Sequence, residues 1–211
     1  MLTIPQFLEF PTSQDSKELV QFFLKLLEMK NKDLFLHSQQ VANYAVSTAV
    51  NMGLPLTEVA CIKTAALLHD IGQLAISNII LNKYPYFNVR ERAAYKRHCQ
   101  EGCNMLENIP AFSHVMKIIL HHHENWDGSG YPKRLKGVNI PIGSRIIAVC
   151  NYYDRKCNPC TRNWQISANH SPQDLRDLAG IMFDPDVVQA FFSAVVQNEK
   201  HLMNPQDLPN K

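Results

Sequence analysis

The chain has 211 residues, 45% hydrophobic and 19% charged, with a formal charge of +2, the make-up of one globular domain with a buried core. So small a charge argues against a nucleic-acid polymer or an acidic membrane surface as partner. No stretch approaches the ~18 consecutive apolar residues that span a bilayer. Met1 to Thr12 lacks the basic start and apolar run of a signal peptide, so a cytoplasmic protein is expected. The six cysteines fit a reducing compartment. Cys61 and Cys150 sit in apolar helical patterns. Cys99 and Cys103 fall one turn apart. Cys157 and Cys160 form a CxxC without the second pair that a structural zinc needs.

Helical periodicity runs through the chain. Ser16 to Met29 carries a stripe of Leu19, Val20, Phe23, Leu26 and Leu27. His37 to Met52 continues with Val41, Ala45 and Ala49, and Gly53 closes it. Thr57 to Ile71 is a third helix stopped by Gly72. Asn88 to Leu106 is a fourth, with Asn88 and Glu91 spaced as a capping box. A fifth runs from a Ser113 cap to about Glu124, and a sixth from Ser144 to Lys156. Asp184 and Pro185 open a seventh through Val196. Asn125 to Ile142 is a Gly/Pro-punctuated loop, and Cys157 to Gln173 reads as irregular. Strand signals are nearly absent. The expected fold is an all-α helical bundle with one long functional loop. A leader helix over residues 1–30 packs on a domain over 31–197, and 198–211 form a loose tail.

Nine histidines are present, and their placement points to chemistry. Ile62, Ala66 and His69 share a helical side, and Asp70 follows. Val115, Ile118, Ile119, His122 and His123 form one stripe, with His121 one step round and facing out. His37 lies on the side of Val41, and His98 lies within the fourth helix. Ile147, Asn151 and Asp154 share a face of the sixth. Several helices thus send metal-capable groups inward. Burying so many titratable groups with nothing to coordinate costs several kcal/mol, and a metal site inside a helix bundle resolves that cost. Imidazole and carboxylate together suit iron, manganese or zinc better than calcium or magnesium. Asp70, beside a second ligand, is placed to bridge two ions that act on a phosphoryl group.

Six segments in order carry a family resemblance: HSQQVANYA from His37, ALLHDIGQ with His69 and Asp70, KRHCQEG with His98, HHHENWDGSGYP from His121, IPIGSRIIAVCNYYD from Ile140, and GIMFDPDVV from Gly180. Together the chain resembles the HD-GYP subgroup of HD-domain phosphohydrolases over roughly residues 30–195. The resemblance implies an HD-domain-like helical bundle with two divalent ions, iron or manganese, with zinc as a further candidate. It implies hydrolysis of a cyclic dinucleotide, cyclic di-GMP first, through a metal-activated hydroxide. By motif position the ligands are His37, His69, Asp70, His98, His122 and His123. Asn151 stands where the family has a metal-binding aspartate and is the weaker ligand. Asp33, four before the first histidine, offers a ligand for a third ion. Asp127, Gly128, Gly130, Tyr131 and Pro132 form the loop near substrate.

Three positions depart from the family pattern. Gln73 replaces the lysine of HDxGK, and glutamine cannot neutralise a phosphate charge. Asn151 brings no negative charge, although Asp154 follows on the same face as a substitute ligand. The family's Arg-Pro-Tyr-Arg-like segment is here RKCNPCTRNW, in which Arg155, Lys156 and Arg162 supply charge. Two other functions compete with the phosphodiesterase. One is a degenerate domain that signals by binding a protein partner. The other is a phosphohydrolase of another nucleotide.

Overall fold

In a computed structural model of the chain, residues 14–156 and 172–202 are described. Among them the fold is all helix, and β pairing is confined to an isolated bridge between Ala179 and Phe183. α1 spans Gln14–Lys30, α2 Lys32–Asn51 and α3 Leu56–Leu68. A short 3-10 turn, Ile71–Ala75, and α4, Asn78–Leu81, lead to α5, Val89–Lys96, and α6, His98–Leu106. α7 is Ser113–His121, α8 Ile142–Lys156, α9 Pro172–Asp177 and α10 Pro185–Leu202.

α3 is the centre. Val59, Ala60, Cys61, Ile62, Ala65, Ala66 and Leu68 are buried on all its sides, as expected of a helix apolar all round. α2 lies along it, with Val41, Ala42, Ala45 and Ala49 buried at helical spacing and small enough for close approach. α7 packs on α3, and α8 and α10 pack on α2. α1 lies against α2 and α3 through Val20, Leu24 and Leu27, so the expected leader helix shares the main core. No helix among the described residues is long and apolar enough to cross a membrane.

Local sequence explains most helix ends. The Asn31 side chain accepts from the Asp33 and Leu34 amides at 2.8 and 3.2 Å. The Asn88–Glu91 capping box forms in both directions, and Asp184 caps α10 by accepting from the Asp186 amide at 2.9 Å. Gly53 follows α2 at φ +71°. Other ends differ from expectation. The fourth helix is two, broken at Arg97, so His98 begins α6 instead of lying within a helix. Ser113 is the first residue of α7 and makes no side-chain cap. The Asn125–Ile142 loop holds a 3-10 turn at Gly137–Asn139. α10 extends through 198–202, which were expected in the tail. Cys157, Cys160, Arg162 and the rest of 157–171 lie outside the described residues.

Gly72 does not stop α3, which ends at Leu68. It lets two backbones meet. A Cβ there would lie 1.9 Å from the His98 carbonyl oxygen and 2.5 Å from the Gly102 nitrogen. Backbone on both sides leaves no flexible atom to yield. Gly72→Ala is expected to destabilise by roughly 3 kcal/mol or more and to lower Tm by about 10 °C in a calorimetric scan. An unchanged Tm would show that α6 can move away at little cost.

Candidate metal centre

The histidines converge at one end of the bundle. His37 comes from α2, His69 follows α3, His98 opens α6, and His122 and His123 follow α7. His69, His98 and Asp70 are wholly buried, and His122 nearly so. α7 ends at His121, about three residues before the end near Glu124 that the periodicity predicts, yet the His122 and His123 rings still turn inward. His121 stays outside and contacts Glu124 at 3.4 Å.

Four of these rings are oriented through Nδ1. His69 Nδ1 meets the Ala66 carbonyl at 2.7 Å, His98 Nδ1 that of Tyr95 at 2.7 Å, and His122 Nδ1 that of Ile119 at 2.6 Å. His37 Nδ1 meets the Asp154 carboxylate at 2.6 Å. A carbonyl or carboxylate oxygen only accepts, so in each ring Nδ1 carries the hydrogen. The opposite nitrogen, Nε2, is then a bare lone pair whenever the ring is neutral. Burial favours the neutral form of four of the rings: it pushes His37 down to about 4 and His98 below its ordinary value, and holds His122 and His123 well below theirs.

These lone pairs face one another. His98 Nε2 and His122 Nε2 are 3.3 Å apart, and two lone pairs at that distance repel. Nε2 of His37, His69 and His123 and Oδ1 of Asp70 are buried without a hydrogen-bond partner. Such a set calls for a cation. The donors form two groups within binding reach of one ion: His37, His69 and Asp70, and His98, His122 and His123 with Cys99. Burial pushes the Cys99 thiol up, which disfavours the thiolate and leaves the three imidazoles as the better candidate donors there.

Asp70 joins the groups. Oδ1 lies 3.4 Å from His98 Nε2, while Oδ2 lies 3.4 Å from His69 Nε2 and 3.9 Å from His37 Nε2. Burial alone would raise this carboxyl, but its close neighbours, the Arg155 guanidinium among them, outweigh it and hold it well below the usual range. Arg155 also reaches Asp70 Oδ2, at 2.6 Å, and Asn151 Oδ1, at 2.8 Å. Asp154 serves as the partner that orients His37. Asp33, one turn before His37, joins neither group.

The long loop is fastened by a residue outside the predicted site. Glu124 is buried, and its carboxylate accepts from the Lys133 and Leu135 amides at 2.7 and 3.1 Å. Its place in the HHExxDG pattern was the available signal. Gly130 passes so close that a Cβ would lie 2.2 Å from the Asn125 nitrogen. Tyr131 stacks on His123 with centroids 4.8 Å apart, and Lys96 lies over the same tyrosine ring. Asp127 is exposed and closes a turn by accepting from the Ser129 amide at 2.8 Å. Glu124→Gln leaves one acceptor oxygen for two amides and is expected to cost about 1–3 kcal/mol. Faster hydrogen exchange at Lys133 and Leu135 reads the loosening; unaltered exchange would deny the clasp.

A cavity of about 250 Å³ opens beside His122 and His123, and Tyr84, Tyr152, Arg155 and Lys156 also line it. Asp127 to Pro132 do not line it, and neither does Gln73. The Gln73 amide is buried and points to the Tyr95 hydroxyl at 3.5 Å.

The family model described as HD domain matches residues 21–187. The chain belongs to the HD domain family. Similar proteins include the 3'3'-cGAMP-specific phosphodiesterase 2 of Vibrio cholerae, 37% identical over 67% of this chain and 27% of that protein. A cyclic di-GMP phosphodiesterase of Thermotoga maritima is 32% identical over 82% of this chain and 48% of that one. This HD domain spans about half, or less, of the length of these two relatives. In fold it resembles a V. cholerae cyclic GMP-AMP-specific phosphodiesterase, at TM-score 0.63 and 21% identity, covering 88% of this chain and 49% of that one. It also resembles the HD domain of an L. monocytogenes phosphodiesterase in complex with cyclic-di-AMP, at TM-score 0.58 and 16% identity, covering 85% and 97%. The HD-GYP resemblance and the all-helical HD fold are both borne out for this HD domain.

Proposed function

We propose that the chain is a metal-dependent phosphodiesterase that opens a cyclic dinucleotide, cyclic di-GMP first among them. The observation that carries this is the inward set of histidine Nε2 lone pairs around the Asp70 carboxylate, beside an open cavity. The names of the relatives supply the substrate class, since they act on cyclic di-GMP or 3'3'-cGAMP. Iron or manganese held there supplies Lewis acidity at a phosphoryl oxygen and makes water a stronger nucleophile. Water adds to one phosphodiester, one P–O bond forms and one ester P–O bond breaks, leaving a linear dinucleotide.

The chain's own residues prepare that step. Arg155 and Lys156 bring positive charge to the cavity wall, where a phosphate is attracted. Tyr84, Tyr152 and Phe183 line the same cavity and offer flat faces to a base. The volume lies just under the roughly 300–1,000 Å³ of pockets that enclose a whole small ligand. It therefore suits the reacting part of a dinucleotide, with the remainder toward solvent.

The test is chromatography of products from cyclic di-GMP and 3'3'-cGAMP, using protein purified without oxygen and loaded with iron or manganese. A linear product that appears with metal and stops on chelation is the expected result. Loaded protein that leaves both substrates intact would overturn the proposal.

A further inference from the structure

Arg155 brings a guanidinium to the centre's carboxylate. Its Nη2 donates to Asp70 Oδ2 at 2.6 Å and its Nε to Asn151 Oδ1 at 2.8 Å. Its guanidinium lies over the Tyr84 ring, 5.6 Å from the centroid. These contacts are not spread evenly over the centre. Asp70 Oδ2 is the oxygen that faces His37 and His69. Asn151 is the residue whose amide oxygen would complete their ligand set. One guanidinium thus engages both oxygens that an ion at His37 and His69 would need. An ion there would also meet a fixed like charge on the same carboxylate oxygen.

The other group has no such competitor. Asp70 Oδ1 faces His98 and has no hydrogen-bond partner. The His98 and His122 lone pairs remain face to face. The carboxylate's demand for a cation is therefore met by a side chain at the oxygen that faces His37 and His69, and left for an ion at the oxygen that faces His98.

We infer that the chain holds a single divalent ion, at His98, His122, His123 and Asp70, and that Arg155 is its second cation, a tethered guanidinium in place of an ion at His37, His69 and Asp70. A guanidinium stays charged at any working pH and presents planar donors suited to a phosphate. Arg155 also lines the cavity, so it can steady charge on a phosphoryl oxygen without an ion beside it. That last role rests on the phosphodiesterase reading; the ion count does not.

The experiment counts manganese by mass spectrometry after loading the full chain with excess manganese(II) and removing the unbound ion. The native chain and His37→Ala are each expected to retain one ion, His122→Ala well under half of one, and Arg155→Met two. A native chain with two ions overturns the inference. So does a His37→Ala chain that loses its ion, or a folded Arg155→Met chain that stays at one. If Arg155→Met does not fold by circular dichroism, the two histidine variants decide on the native background. One ion with no turnover would remove the phosphodiesterase and leave this inference standing. Two ions with turnover would do the reverse.

Discussion

Asp70→Asn is expected to abolish retention of the divalent ion, to cut turnover by roughly a thousandfold or more, and to lower the Tm of the metal-free protein by about 10 °C. The first two effects follow because Asp70 is the carboxylate that touches both histidine groups. An amide there brings no charge to an ion. The third follows from Arg155, whose guanidinium is mostly buried and paired with Asp70 at 2.6 Å. Breaking a buried pair from one side leaves an uncompensated charge and costs about 3–5 kcal/mol. Calorimetry on chelated protein isolates this effect from ion binding. A chelated variant that melts with its parent would mean that Arg155 finds water or another partner at no cost.

Removal of the ion from the native chain is expected to lower Tm by about 10 °C. Bound ion at about a thousand times its dissociation constant stabilises the folded state by roughly 4 kcal/mol, because the unfolded chain does not assemble the ligand set. In the stripped protein the lone pairs of His98 and His122 again face each other at 3.3 Å, and Nε2 of His123 is again unpartnered. Melting curves with and without a chelator measure the difference, and back-titration with manganese should restore it. Coincident curves would show that the imidazoles tolerate one another without an ion.

Much of this centre is legible in the sequence because its parts are helical and local. His69 continues the side of Ile62 and Ala66, and His122 the stripe of Ile118 and Ile119; all are buried. Asn151 and Asp154 share a buried face as the spacing predicts. The break at Arg97 is not legible, since neither glycine nor proline marks it; the approach of Gly72 to the His98 carbonyl comes from a distant segment. Asp154 lies on the face that suits a substitute ligand, but its partner across 117 positions makes it the support of His37. The ion pair of Arg155 with Asp70 spans 85 positions and depends on how α8 packs, which no periodicity encodes. Glu124 reads as one acid in a motif until its carboxylate is seen beneath two loop amides.

The two oxygens of Asp70 serve different clients. One faces the imidazoles of His98 and its neighbours, and the other holds Arg155. The carboxylate has a single negative charge to share, so a stronger pull at one oxygen weakens the hold at the other. An anion in the cavity that drew Arg155 toward itself would free Asp70 to grip an ion more tightly. By thermodynamic reciprocity the ion would then tighten the anion by the same factor. Loading the centre and filling the cavity would then be two faces of one equilibrium, coupled through a single side chain.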